Sequence, residues 1–170
     1  SYEKFYSFSR EQAIQAVSYY REYYEEKGMF ENEVYPGIKE LLRVLTKQGI
    51  LCLVATSKPE IYAKKILDYY ELSNYFYYIA GANMDGTRTD KAEVIAYALK
   101  QIPAEYSNKK VLMVGDRSHD IIGAKKNGID CAGVLFGYGS REELEEAGAD
   151  FVADSVEAVR NIVFLNAAKN

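Results

Sequence analysis

The sequence has no apolar run near the length needed to span a bilayer, so no helical membrane span is expected. It has no basic tract, and its net charge of −4 gives no general attraction to nucleic acid. No signal-peptide pattern opens it. Tryptophan, internal repeats and low-complexity tracts are absent, and the sixteen tyrosines point to no function of their own. Cysteine is scarce. Cys52 and Cys131 lie 79 positions apart, each inside an apolar run, which fits two buried free thiols and a reducing, cytoplasmic setting. What remains is a chain of 170 residues, 48% hydrophobic and 27% charged, long enough for one domain with a core of its own.

Its most informative stretch is Val111 to Asp120, VLMVGDRSHD. A short apolar run ends in Gly115-Asp116, and Asp120 follows four residues later. Such a run, bounded by glycine and feeding a helical pattern, reads as a buried parallel strand. Similar runs occur at Ile50–Ala55, Tyr75–Ala80, Cys131–Phe136 and Phe151–Ala153. Helical patterns separate them: one carrying Ile38, Leu41, Leu42, Val44 and Leu45, one from the Thr56–Pro59 turn to about Tyr70, one from Lys91 to Gln101, one from Ile121 to Asn127, one from Arg141 to Ala147 and one from about Val156 to Phe164. The alternation predicts an α/β fold, a Rossmann-like parallel sheet over 34–170 with helices on both faces. Residues 1–33 do not alternate. Ser9 and Gln12 form a capping-box pattern, and the spacing predicts a helix from there to Lys27, part of a separate helical element.

Parallel sheets bind ligands at the carboxyl ends of their strands. Asp116 and Asp120 at such an edge make an oxygen-rich site for Mg²⁺; alternatively, Asp116 caps the next helix and Asp120 sits in its first turn. Thr56 offers a hydroxyl, and the N–H groups of Thr56 and Ser57 near a helix start could bind an anion, or one of the two side chains caps that helix. Lys91, a cation at a helix N-terminus, is poorly placed for stability and suited to an anion, or else simply solvated. The only histidine, His119, reads as solvent-facing in a first helical turn, and Arg117 as a partner of a neighbouring acid or part of the cleft lining.

With these residues in order, the chain resembles the haloacid dehalogenase superfamily, in its phosphoglycolate-phosphatase-like branch. The resemblance rests on Thr56-Ser57-Lys58-Pro59, on Lys91 in TDKAEVIAYAL, on Gly115-Asp116-Arg117-Ser118-His119-Asp120 and on Gly133–Ser155. It runs from about Tyr35 to the end, and residues 1–33 resemble the latter part of the family's α-helical cap. It implies that Thr56 and Ser57 bind the phosphoryl group, that Lys91 neutralises charge on it, that Asp116 holds Mg²⁺ and that Asp120 supports the ion directly or through water. The implied reaction is hydrolysis of a small phosphate monoester, phosphoglycolate-like, by a monomer or weak dimer that binds neither membrane nor nucleic acid.

The family's attacking aspartate, the first in Asp-x-Asp-Gly-Thr, has no counterpart before Thr56. The look-alike Asn83-Met84-Asp85-Gly86-Thr87 has an amide where the nucleophile should be and reads as the loop leading to Lys91. The sequence thus contains no nucleophile, and the resemblance places it upstream. The central strand that would carry it is missing too, so its two neighbours are expected to have open edges, and Ser1–Asn170 alone to be marginally stable or unfolded. A non-catalytic Mg²⁺- and phosphate-binding protein is the alternative. A phosphate-acceptor signalling domain is disfavoured, because its acids would come early in the chain.

Overall fold

Leu51-Cys52-Leu53-Val54-Ala55 and Val111-Leu112-Met113-Val114 are apolar without alternation because the sheet they build is covered on both faces. The computed structural model describes residues 2–9, 13–21 and 35–168, with side chains over 35–165. In chain order the strands are β1 (Tyr2–Ser9), β2 (Ala13–Arg21), β3 (Leu51–Pro59), β4 (Tyr78–Ala82), β5 (Val111–Gly115), β6 (Asp130–Val134) and β7 (Phe151–Ala153). The helices are α1 (Ile38–Lys47), α2 (Glu60–Tyr69), α3 (Lys91–Lys100), α4 (Ser118–Lys126), α5 (Arg141–Ala147) and α6 (Val156–Ala168). The sheet order is β4-β3-β1-β2-β5-β6-β7. β3 pairs in parallel with β4, and β5, β6 and β7 run parallel to one another, as the alternation predicts.

The N-terminal stretch departs from expectation. Ala13–Arg21 is a strand antiparallel to β1, not part of a helix from Ser9 to Lys27, and β1 and β2 lie inside the sheet rather than in a separate helical element. The remaining residues of that expected helix, 10–12 and 22–27, lie outside the described residues. β1 bonds both β3, through Ser7 to Ser9, and β5, through Phe5 and Tyr6. β1 thus pairs with two strands of the predicted parallel sheet. A row of unpaired N–H and C=O groups is a strong template for pairing. Once β1 is seated there, its antiparallel ladder with Ala13–Arg21 outweighs the weak helical spacing of a segment containing Ile14, Val17, Tyr19 and Tyr20, residue types that favour strands.

Smaller shifts have local causes. The second expected apolar strand, Tyr75–Ala80, starts later, because Ser73–Tyr75 form a turn of 3₁₀ helix before Tyr78. The first runs on to Pro59, pairing with Ala82 across a register shift. Leu42, Leu45, Leu53, Val54, Met113, Val114, Ile121, Val134 and Val159 meet in one core that fixes the carboxyl ends of β3, β5 and β6. Cys52 and Cys131 are buried thiols outside any disulfide, as expected. No helix among the described residues is long and apolar enough to cross a membrane.

Candidate functional site

The acidic corner between β5 and α4 is the most heavily bonded part of the sheet's carboxyl edge. Asp116 follows β5 directly and is fully buried, yet it is not the cap of α4; that position belongs to Arg117. Instead Asp116 Oδ2 accepts the Tyr138 N–H at 2.9 Å, and its carbonyl accepts the Gly139 N–H at 2.9 Å. The two glycines flanking Tyr138 are required by this approach. A Cβ on Gly137 would lie 2.3 Å from Asp116 Oδ2, and one on Gly139 2.1 Å from the Asp116 carbonyl oxygen.

Asp120 has two tasks. Its Oδ2 accepts the N–H groups of Asp116 and Arg117, both at 3.1 Å, which ties the start of α4 to the end of β5. Its Oδ1 lies 2.9 Å from Lys91 Nζ, and both side chains are almost fully shielded from water. Lys91, the first residue of α3, is therefore buried and paired rather than solvated. Charge neutralisation by Asp120 offsets its unfavourable place at a helix N-terminus. His119 is the solvent-facing residue expected, 45% exposed, with Nε2 3.7 Å from Asp120 Oδ1.

Arg117 finds the acid partner foreseen for it in Glu143 of α5. Glu143 Oε2 accepts from Arg117 Nε at 2.9 Å and from the Ser118 N–H at 2.7 Å. Burial on its own would raise the Glu143 carboxyl pKa, but the Ser118 N–H and the Arg117 guanidinium outweigh it and hold the group below the usual carboxylate range.

Thr56 is fully buried on β3, and its Oγ1 accepts the Lys58 N–H at 3.1 Å. The helix after it begins at Glu60 on Pro59, with no side-chain cap, so neither Thr56 nor Ser57 caps α2. Ser57, half-buried, stands in the extended part of β3 rather than at the helix terminus, which removes the expected helix-dipole support for its anion-binding role. The 83–87 look-alike is a self-bonded turn. Asn83 Nδ2 donates to Thr87 Oγ1, and both the N–H and the hydroxyl of Thr87 donate to Asp85 Oδ1.

Two groups of residues went unseen in the sequence. One is Glu143, with the bonds to Asp116 from the backbone of the Gly137–Gly139 loop, itself expected at this sheet edge. The other is a clasp at the β4–α3 loop. Arg88, in the left-handed region at φ 53°, stacks over the Tyr97 ring at 3.7 Å. Arg88 Nε donates to the Gly81 carbonyl at 2.9 Å, and Glu60 accepts the Gly81 N–H at 3.2 Å. A positive φ at a non-glycine residue is the structural clue to that clasp, and sequence spacing gives no sign of it.

Carboxylate oxygens are the donors a hard cation prefers, and Mg²⁺ takes one or two of them with water and substrate oxygens completing its shell. Among the described residues no three His, Cys, Asp or Glu side chains converge. The corner thus fits a cation shared with a bound phosphate, held by Asp116, rather than a closed protein cage. With both its oxygens engaged, Asp120 is better placed to hold Lys91 and the Asp116 backbone than to ligate directly.

Residues 2–134 match the family described as haloacid dehalogenase-like hydrolase. The chain is 39% identical over 160 residues to a 5'-nucleotidase of Pseudomonas aeruginosa, covering 93% of this chain and 71% of that protein. It is 29% identical over 159 residues to a phosphoglycolate phosphatase of Vibrio vulnificus, covering 94% and 69%. A crystal structure from Clostridium acetobutylicum, described as a predicted phosphatase, superposes with a TM-score of 0.77 at 42% identity over 84% of this chain and 65% of its own. The chain thus spans just under two thirds of that solved structure.

Proposed function

Because the chain belongs to the haloacid dehalogenase-like hydrolase family, we propose that it forms the phosphate- and cation-binding part of a Mg²⁺-dependent phosphatase of small phosphate monoesters. The observation that carries the reading is the water-shielded Lys91–Asp120 ion pair beside the fully buried Asp116. Buried charges are costly, and a scaffold gains little from three of them at one sheet edge.

In this reading Lys91 meets the phosphate oxygens, its ammonium kept charged and aimed by Asp120. The Thr56 hydroxyl donates to the same phosphate from the end of β3, with Ser57 beside it. Asp116 holds Mg²⁺, which supplies charge neutralisation of the phosphate when bound. The attack on phosphorus needs a carboxylate in line with the leaving oxygen. Asn83, the only look-alike, is an amide bonded within its own turn, so the reading assigns the attacking aspartate to a segment outside Ser1–Asn170. A phosphorylated aspartate is then the intermediate. The two named relatives act on different esters, one a nucleoside 5'-monophosphate by its name and one phosphoglycolate, and both substrate types remain within the proposal.

The test is phosphate release by the natural full-length protein from AMP and from phosphoglycolate, with Mg²⁺ and with EDTA. The reading requires turnover of at least one ester that EDTA abolishes. Turnover insensitive to EDTA removes the role given to Asp116, and no release from any monoester leaves the non-catalytic binding reading.

A further inference from the structure

We propose that Glu143 is the positioning residue that sets Asp116 for cation binding, acting from α5 across the N-terminus of α4. The inference rests on the assignment of Asp116 to Mg²⁺ and adds a residue to which the resemblance gives no role.

The argument begins with an unmet need. The first N–H groups of a helix have no partner within it, and a short acceptor side chain at the N-cap normally serves one of them. Here the N-cap is Arg117, whose guanidinium only donates. The Ser118 N–H, first in α4, finds its acceptor in another helix: Glu143 Oε2, at 2.7 Å. The same oxygen takes Arg117 Nε at 2.9 Å, so one carboxylate fixes both the backbone and the side chain of the residues that follow Asp116.

Glu143 is also the far end of the segment that touches Asp116 itself. Gly137, Tyr138 and Gly139 lie against it, and the N–H groups of Tyr138 and Gly139 bond its carboxylate and carbonyl. Ser140 then starts α5, its Oγ accepting the Glu143 N–H at 3.0 Å. Residues 137–143 therefore form a saddle. One end grips Asp116 through backbone N–H groups, and the other is anchored through Glu143 to the start of α4. Freeing that anchor lets the saddle and α4 move apart, and the Tyr138 N–H leaves the carboxylate it orients. Groups that orient a ligand's carboxylate typically govern metal affinity by about 10–100-fold.

Glu145, two residues on, provides the control. It belongs to the same helix and has the same charge, but it is exposed and pairs only along the surface with Arg141 at 3.5 Å.

The experiment compares the natural full-length protein with its Glu143→Gln and Glu145→Gln variants by calorimetric titration with Mg²⁺ alone. Amide ¹H–¹⁵N signals of Ser118 and Tyr138 are recorded in metal-free protein. Glu143→Gln is expected to weaken Mg²⁺ about 10–100-fold and to move both amide signals. Glu145→Gln is expected to change neither. Unchanged Mg²⁺ affinity in Glu143→Gln overturns the inference, and so does movement of the Ser118 signal alone, which marks a helix cap and nothing more. Should Glu143→Gln fail to fold, Glu143→Asp, charged but shorter, is read by the same two signals. If the full-length wild-type protein takes up no Mg²⁺, the cation role of Asp116 fails, and the Tyr138 signal still decides whether Glu143 positions that carboxylate.

Discussion

The two strand ends on either side of the sheet's centre are built in opposite ways. At the β5–α4 corner, carboxylates and glycine-flanked backbone lock every turn: Asp120 bonds two N–H groups, Glu143 a third, and the Gly137–Gly139 loop presses onto Asp116. At the β3–α2 corner the chain stays extended to Pro59 and enters its helix with no side-chain cap. The first corner spends its polar side chains on holding one carboxylate still. The second sets a buried hydroxyl, Thr56, beside extended backbone. A metal ligand needs fixed geometry, whereas a phosphate can be met by hydroxyl and N–H groups that settle as it arrives.

Removing Lys91 should strain this contrast most. Lys91→Met leaves the Asp120 carboxylate buried without its cation, and about 3–5 kcal/mol of stability should be lost. Urea unfolding measures it, and adding Asp120→Asn should return part of the loss. Gly139→Ala comes next, because its new methyl lands on the Asp116 carbonyl. Overpacking of this kind costs about 1–3 kcal/mol, and Mg²⁺ affinity should fall with it. Thr56→Val tests the other corner. It removes the hydroxyl that accepts the Lys58 N–H, so about 1 kcal/mol should go while Mg²⁺ uptake is kept and orthophosphate binding weakens. A loss there as large as that for Lys91→Met would erase the distinction between the corners.

Asp116→Asn should change stability least without metal, since an amide oxygen can still accept the Tyr138 N–H. The Mg²⁺-induced rise in melting temperature should nevertheless vanish, as should Mg²⁺-dependent turnover of the full-length protein. Acid sharpens the comparison too. The Glu143 carboxyl is held below its ordinary value of 4.5, so its contribution is present above that value and fades as pH falls through the lowered one. The α4 terminus should therefore loosen first in acid, read as faster exchange at the Ser118 amide than at the amides of α2.

Sequence reached the site further than it reached the sheet. Thr56, Asp116 and Asp120 were legible because they stand just past apolar runs, and Lys91 because it is a cation at a helix start; the structure places Thr56 in the latter part of β3, Asp116 directly after β5, and Lys91 and Asp120 in the first turns of α3 and α4. The bond from Asp116 to Tyr138 was not legible, because a backbone N–H leaves no mark on residue type. Glu143 was hidden differently. In Ser140-Arg141-Glu142-Glu143 it looks like one more acid in a helix's first turn, and only the packing of α5 on α4 turns it toward Ser118. Ala13–Arg21 shows the limit of periodicity: its spacing suits a helix, and the ladder it forms with β1 decides otherwise.

The two cysteines have a practical consequence. Burial pushes the Cys52 thiol well above its ordinary value, and burial also carries Cys131 up to about 11, against the opposing Asp150 backbone bond. The thiolate is the reactive form, and at neutral pH a group titrating there is ionised about once in ten thousand molecules. Neither native sulfur should compete for a maleimide probe. A cysteine placed at Tyr138, well exposed and bonded through its backbone to Asp116, would report by fluorescence on the site against a silent background, without first removing a residue from the core.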